Sequence, residues 1–102
     1  DGVGDLVLPE VRPDVEHVYH LFVVRTRRRD ELREYLRSVG VATGIHYPIA
    51  LPRLRAYESH SQHQSTFKAT DLADQVLSLP IGDSLRGDQV DRVCSELRRF
   101  YD

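Results

Sequence analysis

Gly40-Val41-Ala42-Thr43-Gly44-Ile45-His46-Tyr47-Pro48-Ile49 is the stretch from which the rest of this chain is best read. Gly40 stops whatever precedes it and Pro48 fixes the exit, which leaves a short apolar run, residues 41–45, with the character of a strand. The run delivers His46 and Tyr47 to its end. A residue that precedes proline is held extended, so Tyr47 is aimed at a partner surface. A histidine at the end of a strand can bond a phosphate, a carboxylate or a sugar hydroxyl, or can close a structural hydrogen bond. Residue type and spacing leave both roles open for His46.

Working outward, residues 17–25 alternate Val18, His20, Phe22 and Val24 with Tyr19, Leu21 and Val23. Both faces are largely apolar, which predicts a central strand. Leu32, Tyr35, Leu36 and Val39 follow the i, i+3, i+4, i+7 rule and predict a helix over 29–39. Asp30 and Glu31 sit in its first turn and Arg37 in its last, as the helix dipole favours. Residues 46–57 read as a proline-punctuated turn region with room for one helical turn, and 58–66 as a polar loop. A short helix is expected over 67–75 with Phe67 and Leu72 inward, then a strand over 76–79 ended by Pro80. Val90, Val93, Cys94, Leu97 and Tyr101 form the apolar stripe of a last helix, capped by Asp83 or Ser84. Cys94 is expected to be a small buried residue on that inner face. The order predicts an α/β fold: a two-layer sandwich whose small sheet, of three strands or four, packs against helices.

The 102 residues allow one domain with a modest core. A net charge of -2 excludes a general polyanion binder, and Tyr19 and Phe22 fall on opposite faces, which makes nucleic acid a poor partner. Arg25 and Arg27 to Arg29 read as a solvated corner beside Asp30 and Glu31. One cysteine rules out an internal disulfide framework. The apolar runs are too short to cross a membrane and nothing resembles a signal peptide, so no membrane partner and a cytoplasmic location are expected.

Other constellations carry less. His60 and His63 supply half a metal site, without the three or four converging ligands that zinc needs, so no metal is expected. Ser78, His46 and Asp83 lack the setting of a hydrolytic nucleophile. Gly2-Val3-Gly4 lacks the strand, third glycine and helix of a phosphate loop.

The series Tyr19-His20-Leu21-Phe22-Val23, Arg29-Asp30-Glu31-Leu32, Gly44-Ile45-His46-Tyr47-Pro48, Ala56-Tyr57 and Leu77-Ser78-Leu79-Pro80 resembles the small C-terminal domain of the DegT/DnrJ/EryC1/StrS sugar aminotransferases. It runs over about four fifths of the chain. The resemblance implies pyridoxal phosphate (PLP) as cofactor of a full-length parent, with none expected on this piece alone. It also implies a homodimer that moves an amino group, commonly from glutamate, to a nucleotide-linked keto-sugar. Residues 1–16 would be a linker or edge segment from a missing large PLP-binding domain, and 17–102 the small domain. His46, Tyr47 and His20 would be substrate-binding residues, with no catalytic residue in this piece. The chain departs from the family pattern at Ala50 and Pro52, where a second proline and histidine are common. It departs again at Thr70, where a glutamate is usual, and at Arg86, where a threonine caps the last helix. Lys68 is the only lysine and lies outside the family's Schiff-base context, so the isolated piece is expected to be inactive. The alternative reading is a free-standing, non-enzymatic α/β interaction or regulatory domain.

Overall fold

The computed structural model describes residues 2–59 and 67–102. Its sheet has two antiparallel strands, β1 (Phe22–Arg25) and β2 (Val76–Leu79), in the register Phe22 to Leu79, Val23 to Ser78, Val24 to Leu77 and Arg25 to Val76. Side chains alternate across a strand, so Val24 and Leu77 share one face while Val23 and Ser78 share the other. The first face is the core. Val24 and Leu77 are both 0% exposed there, and they cluster with Leu32, Leu36, Val41 and Leu97.

The strand count corrects the expected three or four. Residues 41–45 contribute one bridge, Gly44 to Ser78, and the N-terminal segment contributes one more, Val7 to Arg25. The reason lies at Val41, whose N–H is already committed to the carbonyl of Leu36 at 2.8 Å. A backbone group used to end a helix cannot also serve a ladder. The first strand is shorter than the expected 17–25 for a similar reason. Tyr19 has a φ of +48°, and its N–H turns to the Nδ1 of His17 at 2.8 Å, so pairing starts only at Phe22.

Helix α1 (Arg29–Ser38) carries Leu32 and Leu36 into the core. It ends as the sequence predicts: Gly40 adopts φ +78°, its N–H bonds the Arg37 carbonyl, and the Val41 N–H closes on Leu36. That pair of bonds satisfies carbonyls a helix end would leave orphaned. Helix α2 (Lys68–Leu72) is short, and Phe67 stands extended before it and exposed, not inward as expected. Residues 51–53 and 55–57 form two 3-10 turns.

Helix α3 (Gly87–Tyr101) lies against α1. Its buried row is Val93, Leu97 and Phe100, with Glu96 accepting a bond from the Tyr35 hydroxyl at 2.8 Å. That bond holds the Tyr35 hydroxyl above its ordinary pKa. Cys94, expected inside, is exposed beside the exposed Val90. The inward row follows Tyr35 on α1, which turns that side of the stripe outward. The cap is also different from Asp83 or Ser84: the Arg86 N–H donates to the Gln89 side chain at 2.9 Å.

The basic corner is not uniformly solvated. Arg29 is 7% exposed and donates to the carbonyls of Ala73 and Val76, while Arg28 lies 4.2 Å over the Phe100 ring. Asp5 fastens the N-terminal segment to this corner. It accepts from the Thr26 hydroxyl at 2.6 Å and the Arg27 N–H at 2.8 Å, and the Tyr101 hydroxyl donates to Thr26. Asp5 to Val7 are therefore fastened to the rest of the domain.

The bond from Thr26, then that from Arg27, holds the Asp5 carboxyl below its ordinary 3.8. A carboxylate stabilised in the folded state supports folding above its unfolded pKa, and that support is lost as pH falls through the folded value. Asp5→Ala is expected to cost about 1 kcal/mol near neutral pH, the exposed side of the group keeping the effect small. In urea melts against pH, the gap between Asp5→Ala and the parent should close below 3.8. A gap that persists at lower pH would assign it to packing.

Candidate functional site

On the face of the sheet away from the core, β2 presents Ser78, which is 5% exposed. Gly44 pairs with Ser78 through two backbone bonds of 3.0 and 2.7 Å. Two residues on, this pairing brings the His46 imidazole over the strand, where Nδ1 meets the Ser78 hydroxyl at 2.9 Å. The chain turns through a cis His46-Tyr47 peptide, and Tyr47 stands edge-on to the imidazole with ring centroids 5.5 Å apart. Tyr47 is 73% exposed, in keeping with a residue aimed outward.

Gly44 is needed here for closeness. A Cβ at that position would lie 2.7 Å from His46 Cε1, well inside contact distance. Gly44→Ala should therefore push the ring off Ser78 and leave a buried hydroxyl unpaired, at a cost of about 1–3 kcal/mol. Chemical denaturation of Gly44→Ala, Ser78→Ala and the double variant checks this. If the hydroxyl is the source of the cost, the double variant falls well short of the sum.

His46 and Tyr47 open one end of a groove of about 600 Å³, lined further by Ile49, Leu54, Leu72 and Val76. Arg29 fixes its far wall through the Ala73 and Val76 carbonyls. The lining is almost wholly apolar apart from the histidine and tyrosine, a few polar groups against an apolar surface being the usual make-up of a small-molecule site. His20 does not join this group. It is exposed ahead of β1, and no hydrogen bond links it to His46 or Ser78 among the described residues.

Ser78 is the functional neighbour that sequence reasoning missed. Its signal was a hydroxyl inside the apolar strand Val76-Leu77-Ser78-Leu79, where a buried O–H must find a partner. The contact does not revive a hydrolytic triad. There the serine faces Nε2 and a carboxylate holds Nδ1, whereas here Nδ1 faces a buried serine and Asp83 is exposed. His60 and His63 lie outside the described residues. Among those described, no group of three or more acidic, histidine or cysteine side chains could hold a metal, and no helix is long and apolar enough to cross a membrane.

A small sheet under two helices, with a histidine and tyrosine at the mouth of an apolar groove, is the architecture of an aminotransferase small domain. The crystal structure of S. venezuelae DesV in complex with ketimine intermediate superimposes with a TM-score of 0.91 and 38% identity, over 99% of this chain and 28% of that one. The chain belongs to the DegT/DnrJ/EryC1/StrS aminotransferase family, whose profile matches residues 2–98. The dTDP-3-amino-3,4,6-trideoxy-alpha-D-glucose transaminase of Streptomyces venezuelae is 41% identical over 100 residues, 97% of this chain. The dTDP-3-amino-3,6-dideoxy-alpha-D-galactopyranose transaminase of Aneurinibacillus thermoaerophilus is 38% identical over 93 residues, 91% of this chain. The chain spans 26% and 25% of the length of these two relatives.

The residues here do not by themselves fit PLP. Among the described residues no lysine or arginine lines the groove to hold a phosphate or form a Schiff base, and Lys68 is exposed at the start of α2.

Proposed function

We propose that this chain is the small C-terminal domain of a PLP-dependent aminotransferase that delivers an amino group, from glutamate, to a nucleotide-linked keto-sugar. Residues 17–102 form that domain and 1–16 lead from the large domain that carries the cofactor and its lysine. A homodimer mate completes the enzyme, which works in the cytoplasm. The isolated piece does not transaminate.

The observation that carries this reading is the held pair His46 and Tyr47 at the mouth of an apolar groove, in a chain whose relatives are named as nucleotide-sugar transaminases. In this piece the work is binding and orientation. His46, tied back to Ser78, offers its other ring nitrogen to a sugar or phosphate oxygen. Tyr47 adds a ring face and a hydroxyl, and the groove wall excludes water. His20, exposed before β1, meets the substrate only if it runs past the end of the sheet.

A second, smaller apolar groove of about 320 Å³ supports a parent larger than this piece. It is lined by Leu8, Phe22, Leu79, Ile81, Val90 and Cys94, and apolar surface of this kind is normally covered. That favours a domain taken from an assembly over a self-sufficient regulatory module.

The test is an absorption spectrum with added PLP, taken on this chain and on the protein from the complete reading frame. A Schiff-base band in the longer protein that glutamate bleaches, and that the short chain lacks, supports the proposal. No band in either overturns it in favour of a binding module.

A further inference from the structure

We infer that Ser78 is a positioning residue that fixes the tautomer of His46, so that the neutral imidazole carries its proton on Nε2 and offers a donor to the groove. The argument is one of hydrogen count. The Ser78 side chain is 5% exposed, and its oxygen makes its one hydrogen bond among the described residues to His46 Nδ1, at 2.9 Å. A buried hydroxyl carries one hydrogen and two lone pairs, and the hydrogen is the part that most needs a partner. Among the described residues no backbone carbonyl takes it, and the N–H and carbonyl of Ser78 pair with Gly44. Nδ1 is left as the acceptor. A neutral imidazole that accepts at Nδ1 has its proton on Nε2.

The surroundings hold this arrangement in place. Gly44 leaves no side chain to compete for the space beside the ring, with its missing Cβ only 2.7 Å from Cε1. The bridge between Gly44 and Ser78 sets the distance between the strand and the segment that carries the histidine. Nε2 makes no hydrogen bond among the described residues, and His46 lines the groove. The groove therefore meets its ligand with an N–H, and the ligand atom opposite is an acceptor. Only the identity of the molecule that owns this acceptor rests on the function proposed above.

Long-range proton–nitrogen spectra of the histidine-labelled chain, recorded at alkaline pH where imidazole is neutral, test this directly. The His46 signals are assigned by their loss in His46→Gln. His20, exposed and outside the ladder, is the internal reference for a ring free to exchange tautomers. In the parent chain, His46 Nδ1 should read as the unprotonated nitrogen and Nε2 as the protonated one, each further toward its limit than in His20. Ser78→Ala should move both signals to the averaged values of His20, and Ser78→Thr, which keeps the hydroxyl, should return them.

A protonated Nδ1 in the parent chain, or His46 signals averaged like those of His20, overturns the inference. So does a Ser78→Ala variant that folds and leaves the His46 pattern unchanged. The parent spectrum decides without a variant, so a poorly folding Ser78→Ala does not protect the idea. Loss of the inference would leave the aminotransferase reading standing, since that is judged by the absorption of the longer protein.

Discussion

Leu77→Ala should remove about half of this chain's folding stability or more. Leu77 is 0% exposed at the middle of β2, opposite Val24, in one cluster with Leu32 and Leu36 of α1 and Leu97 of α3. Truncating a leucine so placed costs about 3–5 kcal/mol, the lost transfer energy plus a cavity that strand and helices cannot close. A domain of this size has on the order of 5–10 kcal/mol to lose, because small chains bury proportionately less surface. Equilibrium urea unfolding should show the midpoint collapse with little change in slope. Val90→Ala, on the exposed side of α3, is the control and should change stability by no more than about 0.5 kcal/mol. A Leu77→Ala chain that loses under about 1 kcal/mol would refute the core described here.

The second large effect concerns the site. In the protein from the complete reading frame, His46→Ala should lower kcat/KM for a nucleotide-linked keto-sugar by about 10–100-fold, the worth of one hydrogen bond to a charged or strongly polar partner. The imidazole is held at one nitrogen by Ser78 and lines the groove, so its loss removes a fixed donor and not a wandering side chain. Folding should lose about 1–3 kcal/mol, because the buried Ser78 hydroxyl is left without its partner, so the kinetics are read on the variant once its native fold is verified. If the contact is made equally before and during reaction, KM carries the change. If it is made mainly as charge develops, kcat carries it. Steady-state kinetics with His20→Ala alongside separates the two histidines. An unchanged kcat/KM for His46→Ala would remove it from the substrate side.

Several parts of the site were legible in the chain itself. Gly44, His46, Tyr47 and Pro48 mark a turn that ends an apolar run, and the structure holds His46 and Tyr47 together at a groove mouth. What the run could not reveal was that His46 would lean on Ser78. Nor did the series of basic residues reveal which of them would be buried. Arg29 enters the interior because the carbonyls of Ala73 and Val76 await a donor there, and those carbonyls are 44 and 47 positions away. The exposed Cys94 shows the same limit. An apolar stripe on a helix identifies a face, but the neighbour decides which edge of that face is covered.

The sequence by itself determined what depends on residues within about one helical turn of each other. That includes α1 with its acidic start and its Gly40 stop, the presence of a last amphipathic helix, the four residues of β2, and the likeness to a family. The tertiary structure alone decided the length of the sheet, the burial of Arg29 and the meeting of His46 with Ser78. Each of these is a competition for one backbone group or one buried partner in which at least one contender lies far along the chain: Val41 between helix end and ladder, Tyr19 between His17 and the strand, Ser78 across 32 positions to His46. Local pattern states which groups need partners, and only the packed chain settles which partner arrives.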